Sequence, residues 1–149
     1  MSKESVSASP MVKAALEVLD PEKKIGTCQV SARFRFQMLV LGLATMGFGR
    51  VRVSYGRRSL DEQERLYGRG RTTAECRSAG VPVEYSCPGL SKVTWTLPHA
   101  SKHVQGLAID VWFGGYKHIQ WVRVGELARL LGLTWGGDWS KRDYGHFEI

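Results

Sequence analysis

Little in this chain belongs to a secreted miniprotein, a membrane span or a cysteine-rich metal knuckle. Cysteine occurs only three times in 149 residues. Cys28, Cys76 and Cys87 are an odd set without C-x-x-C spacing, which excludes a disulfide framework and a Cys-rich zinc site and makes reduced thiols the expectation. Long apolar runs are missing too. The most hydrophobic stretch, Met38 to Phe48, is interrupted by Gly42, Thr45 and Gly47 and falls well short of the roughly 20 residues that cross a bilayer. Met1 to Asp20 is broken by Lys3, Glu4, Lys13, Glu17 and Asp20, so no export-signal core is expected there. Acidic residues are the scarcer charge. With 21 Lys and Arg against 14 Asp and Glu the formal charge is +7, which favours an anionic partner such as nucleic acid, an acidic membrane face or a cell-wall polymer. The arginines are dispersed and no nucleic-acid-binding signature accompanies them.

What is present is concentrated toward the C-terminus. Ser101-Lys102-His103-Val104-Gln105-Gly106-Leu107-Ala108-Ile109-Asp110 and Asp143-Tyr144-Gly145-His146-Phe147-Glu148-Ile149 contain two of the four histidines, each near a carboxylate. Two imidazoles and one carboxylate hold zinc while leaving a fourth position for water, whereas structural sites are closed by four protein ligands. His103, Asp110 and His146 are therefore the candidate ligands and Asp143 the candidate base, with Glu148 and Asp138 as alternatives for the base. Bland readings compete: a lone histidine usually belongs to core or surface, and Asp110 could simply pair with an arginine. Against the latter, a carboxylate on a strand otherwise filled with Leu, Ile, Val and Phe is costly unless paired or metal-bound.

The pattern S-x-H-x-x-G-x-A-x-D followed by D-x-x-H resembles the peptidoglycan-cleaving zinc peptidases that include D-Ala-D-Ala carboxypeptidases and dipeptidases and the phage L-alanyl-D-glutamate endolysins. Upstream, Arg58-Ser59, Gln63, Leu66-Tyr67 and Gly70-Arg71-Thr72 resemble the arginine segment of the endolysin branch, with Arg57 standing where that branch has Tyr. Trp135-Gly136-Gly137-Asp138-Trp139 is similar to the family's W-G-G-D-W. The resemblance implies Zn2+ as cofactor, peptidoglycan as partner, and Arg58 as the cation that balances charge on the tetrahedral oxygen. It implies an endolysin made in a host cytoplasm, acting on the wall after membrane permeabilisation, as a monomer with no nucleic-acid partner and no stable membrane insertion. The alternatives are a D-Ala-D-Ala carboxypeptidase or dipeptidase, and a zinc-containing wall-binding module without turnover.

The pattern of elements predicts one α+β domain, a small, mainly antiparallel sheet packed with three helices, of the kind the resemblance also implies (hedgehog/DD-peptidase-like). Residues 1–28 read as a loosely attached arm with a short helix at Val12 to Leu19, and 29–149 as the peptidase domain. A helix is expected from Gln29 to Met46. Strict alternation in Arg50 to Tyr55 predicts a strand with Val51, Val53 and Tyr55 on one face. Ser59-Leu60-Asp61-Glu62 has capping-box spacing and should open a helix to Arg69, mounting Arg58 just before a helix N-terminus. Residues 70 to 102 read as a long loop with a short strand at Val81 to Tyr85. Gly106 to Phe113 should be a strand with Asp110 opposite the apolar face. A helix follows from Lys117 to Leu131, its apolar set being Ile119, Val122, Leu127, Leu130 and Leu131. The last strand must pair beside 106–113 if Asp110 and His146 are to share a metal. His99, His118 and Glu148 have no assigned task beyond exposure or bonding to a ligand. Trp112, Trp121, Trp135 and Trp139 read as core or cleft walls.

Overall fold

The computed structural model describes residues 8–114 and 118–149, with the side chains of His118 and Ile119 outside the description. The predicted helix start at Lys117 lies outside the described residues. Six α-helices and four strands occur among them, where three helices were expected: α1 (Pro10–Leu19), α2 (Val30–Ala44), β1 (Arg50–Tyr55), α3 (Leu60–Gly68), α4 (Thr73–Ser78), α5 (Lys102–Gln105), β2 (Ala108–Gly114), α6 (His118–Leu130), β3 (Thr134–Trp135) and β4 (His146–Glu148). The strands form one antiparallel sheet in the order β1-β2-β4-β3. The chain's last strand thus pairs directly with β2, as a shared ligand site requires. None of the described helices is long and apolar enough to cross a membrane.

The core lies where α2 and α6 pack on the sheet. Helix α2 contributes Ala32, Phe36, Leu39, Val40 and Leu43, and the strands contribute Val51, Val53, Ile109, Val111 and Phe147. Helix α6 is rotated relative to the expected face. Trp121, Val124 and Ala128 are its buried apolar side chains and Leu127 and Leu131 of the expected set pack partly buried against the core, while Val122 and Leu130 are exposed. The reason is an aromatic cluster: Trp121 stacks on Tyr144 at 4.5 Å and meets Phe48, Phe113 and Trp135. Burying that indole outweighs the aliphatic stripe.

Two further expectations are corrected. Tyr55 does not follow Val51 and Val53 inward. The β1–β2 register shifts between Val53 and Tyr55, so Tyr55 turns to the exposed side and pairs with Asp110; an extra residue in one strand reverses the alternation beyond it. Residues 70–102 are not wholly loop. Thr72 and Glu75 form a second capping box that opens α4, and Val83–Tyr85 is a 3-10 turn instead of a strand. The second box has the same S/T-x-x-E spacing as the one at Ser59, which caps α3 as expected.

The segment before Gln29 is packed, not loose, from the end of α1 onward. Leu19, Ile25 and Cys28 join the main core. Buried Asp20 accepts the backbone N–H groups of Lys24 and Ile25 at 2.7 and 2.8 Å, which fixes the turn beneath them. All three cysteines are free. Because Ile25 is 2% exposed, Ile25→Ala is expected to cost about 2–5 kcal/mol in denaturant unfolding. A loosely attached arm would change stability by no more than about 0.5 kcal/mol.

Candidate metal centre

Three elements deliver the candidate ligands. Asp110 lies in β2 and is the register partner of His146 in β4. His103 sits on the one-turn helix α5, which ends at Gly106 in the left-handed conformation (φ 73°) and turns the chain straight into β2. A side chain there would be strained, so glycine sets the distance between His103 and Asp110.

The ligand atoms converge. His103 Nε2 lies 3.1 Å and His146 Nδ1 3.0 Å from Asp110 Oδ1. One donor atom from each of the three residues fits within a 4.8 Å spread. Tetrahedral zinc with ligands at about 2.0–2.2 Å separates neighbouring donors by roughly 3.3 Å, so the donor set fits such an ion with little movement.

The outward-facing ring nitrogens fix which lone pairs remain. His103 Nδ1 donates to the Gly56 carbonyl at 2.8 Å, which turns Nε2 toward Asp110 and the position an ion would take. His146 Nε2 is held by Glu148 Oε2 at 2.9 Å, which does the same for Nδ1. Each ring is oriented by an acceptor behind it, the arrangement that holds histidine ligands in metal sites. Glu148 is the functional residue whose role pattern reasoning left open. The signal was its parity with His146 in β4, which places both side chains on one face.

Gly56 has its own support. A Cβ there would fall 2.2 Å from the Lys24 carbonyl, so the carbonyl that orients His103 rests directly on the N-terminal turn. Arg58 N–H donates to the His103 carbonyl at 3.1 Å, latching the β1–α3 turn to α5.

The charges are arranged to suit a cation. Burial pushes the Asp110 carboxyl up, but hydrogen bonds from His103 and His146 more than offset this and hold it well below the usual carboxylate range. Burial pushes His146 down, yet its bonds to Asp110 and Glu148 prevail and raise it to about 9. Arg58 Nη2 stands 3.8 Å from Asp110 Oδ2 and its Nη1 donates to Gln63 at 2.7 Å. Arg57 is exposed, so Arg58 is the arginine at the site.

Asp143 is not part of this hydrogen-bonded cluster. It is exposed, in the turn closed by its carbonyl accepting the His146 N–H at 3.2 Å. Of the alternatives, Asp138 pairs with Arg129 at 2.9 Å and Glu148 is engaged by His146. Ser101 is buried at the N-terminus of α5 without capping it. Trp121 and Trp135 are core, Trp112 is exposed, and Trp139 packs on His146 with ring centroids 5.1 Å apart.

This antiparallel α+β domain brings two imidazoles and one carboxylate to a point, a donor set that suits one divalent ion with an open coordination position. Comparison with known proteins agrees. Residues 96–149 match the family model described as D-alanyl-D-alanine carboxypeptidase. The chain is 35% identical over 115 residues to the peptidoglycan L-alanyl-D-glutamate endopeptidase CwlK of Bacillus subtilis, covering 66% of this chain and 60% of that relative. It therefore spans about three fifths of the curated relative's length. Among solved structures, the fold is similar to the L-Ala D-Glu endopeptidase ChiX of Serratia marcescens, with TM-score 0.51, 21% identity, and coverage of 90% of this chain and 92% of that one. It is also similar to the vancomycin-resistance D,D-pentapeptidase VanY, solved with Zn(II), with TM-score 0.53, 18% identity, and coverage of 82% and 72%. Residues 96–149, which carry all three candidate ligands, thus match that family model, and the fold is similar to that of both solved peptidases.

Removal of the Glu148 carboxylate by Glu148→Ala is expected to weaken divalent-metal affinity about 10- to 100-fold, read by competition with a chromogenic chelator. Glu148→Gln, which keeps an acceptor, should lose less. Equal affinity in all three proteins would remove Glu148 from the site.

Proposed function

We propose that the protein is a zinc endopeptidase hydrolysing the L-alanyl-D-glutamate bond of peptidoglycan stem peptides, acting as a monomer in an endolysin role once the membrane has been breached. The observation that carries this reading is the convergence of His103, Asp110 and His146 beside Arg58, in a chain 35% identical to an endopeptidase of that specificity. The endolysin-like residues support the finer assignment because they form one connected network. Arg58 donates to Gln63, Gln63 donates to Thr94 Oγ1 at 3.4 Å, and Arg71 donates to the Thr94 carbonyl at 2.8 Å.

His103, Asp110 and His146 would hold the zinc. When bound, it supplies Lewis acidity and lowers the pKa of a coordinated water from about 15.7 to about 7. Asp143 takes the proton from the attacking water at its carboxylate and returns it to the leaving amine. Among the described residues no side chain pairs with that carboxylate, whereas Asp138 and Glu148 are both engaged. Arg58 offers a guanidinium held in place by buried Gln63, and a fixed cation costs no reorganisation as negative charge grows on the tetrahedral oxygen.

Mass spectrometry of digested muropeptides tests the bond specificity. Cleavage between L-alanine and D-glutamate is expected, and release of free D-alanine with that bond intact would favour the carboxypeptidase alternative. Asp143→Ala is expected to lower kcat about 10²- to 10⁴-fold with zinc affinity near that of the parent. Unchanged turnover would assign the base elsewhere. Chelation should abolish clearing of purified peptidoglycan in a zymogram and added zinc restore it; no clearing in either state would favour a binding module.

A further inference from the structure

One cation, two residues beyond a ring that packs on His146, is held in place yet has no assigned use. The Lys141 ammonium sits 3.3 Å over the Trp95 ring. Both residues are exposed, Trp95 at 55%. The contact joins two segments that reach the site independently. Trp95 follows Thr94, which is tied through Gln63 to Arg58 and so to Asp110. Lys141 follows Trp139, whose ring packs against His146, and precedes Asp143.

Lys141 forms no ion pair with a carboxylate among the described residues. Its acidic neighbour Asp138 is taken by Arg129. An aromatic face attracts an ammonium and restricts where it points, but leaves its N–H donors unsatisfied. A lysine so placed is oriented and still able to bind an anion.

We propose that Lys141, seated on Trp95 at the rim of the metal centre, is a specificity residue that receives the free carboxylate of the residue on the amine side of the scissile bond. This rests on the peptidase reading above. In an L-alanyl-D-glutamyl unit the glutamate carries two carboxyl groups, and peptide continuation uses only one. The other remains ionised on the residue that carries the leaving nitrogen. A charged hydrogen bond from Lys141 would favour that substrate over its neutral amide by about ten- to a hundredfold.

The test is a ratio of ratios. The zinc-loaded full chain and its Lys141→Met variant are assayed on two synthetic stem peptides, one with the free glutamate carboxylate and one with that group amidated. The parent is expected to favour the free acid by about tenfold or more in kcat/KM, and Lys141→Met to lose most of that preference. A merely structural lysine would lower both rates together and leave the preference intact. Equal cleavage of both peptides by the parent, or an unchanged ratio in the variant, overturns the proposal. If the parent cleaves neither peptide, the peptidase reading has failed. Binding of the dipeptide L-alanyl-D-glutamate, followed by tryptophan fluorescence, then decides for Lys141: about tenfold weaker binding in the variant supports its role, and equal affinity refutes it.

Discussion

Asp110 and His146 face one another across the β2–β4 ladder, and the site depends on that single register. Side chains in a strand alternate, so a slip of one residue would turn His146 into the core and Phe147 toward the ligands. Phe147 is fully buried, which makes the slip costly. The aromatic packing of Phe147 on Trp135, and of Trp135 on Tyr144, thus enforces the geometry of the metal centre. Packing on one face of the sheet selects the chemistry on the other.

The second constraint runs through backbone carbonyls. Gly56 orients His103, and the Lys24 carbonyl packs where a side chain at Gly56 would stand. That turn is in turn fixed by buried Asp20. The N-terminal segment, remote in sequence from every ligand, is therefore part of the support behind one of them. Glu148 does the corresponding work for His146, so both imidazoles are set by acceptors placed away from the ion.

Much of this could be read from residue order alone. Alternation in 107–113 placed Asp110 opposite the apolar face, and the spacing of Ser59 and Glu62 placed Arg58 before a helix. Where the structure departs from those expectations, the cause is physical. Tyr55 turned outward because a bulge shifts the parity of β1. Helix α6 buries Trp121 because aromatic partners gather there from distant segments, which no local periodicity encodes. Helix α4 is short enough that its capping box was its main signal. The N-terminal segment looked detached because polar residues surround the few apolar ones, Leu19, Ile25 and Cys28, that enter the core. Nothing local marks Trp95, because its partner Lys141 lies far along the chain. Local patterns show faces and ends; contacts between segments decide which of them matter.

The central claim is that His103, Asp110 and His146 bind one zinc with nitrogen and oxygen donors and a position left for solvent. X-ray absorption at the zinc edge of the stoichiometrically loaded protein tests it most directly. Four light-atom neighbours at about 2.0–2.2 Å, two of them imidazole, and no sulfur are expected. Sulfur scattering at about 2.3 Å, the signature of ligation by one of the cysteines, or failure to retain one zinc per chain, would contradict it.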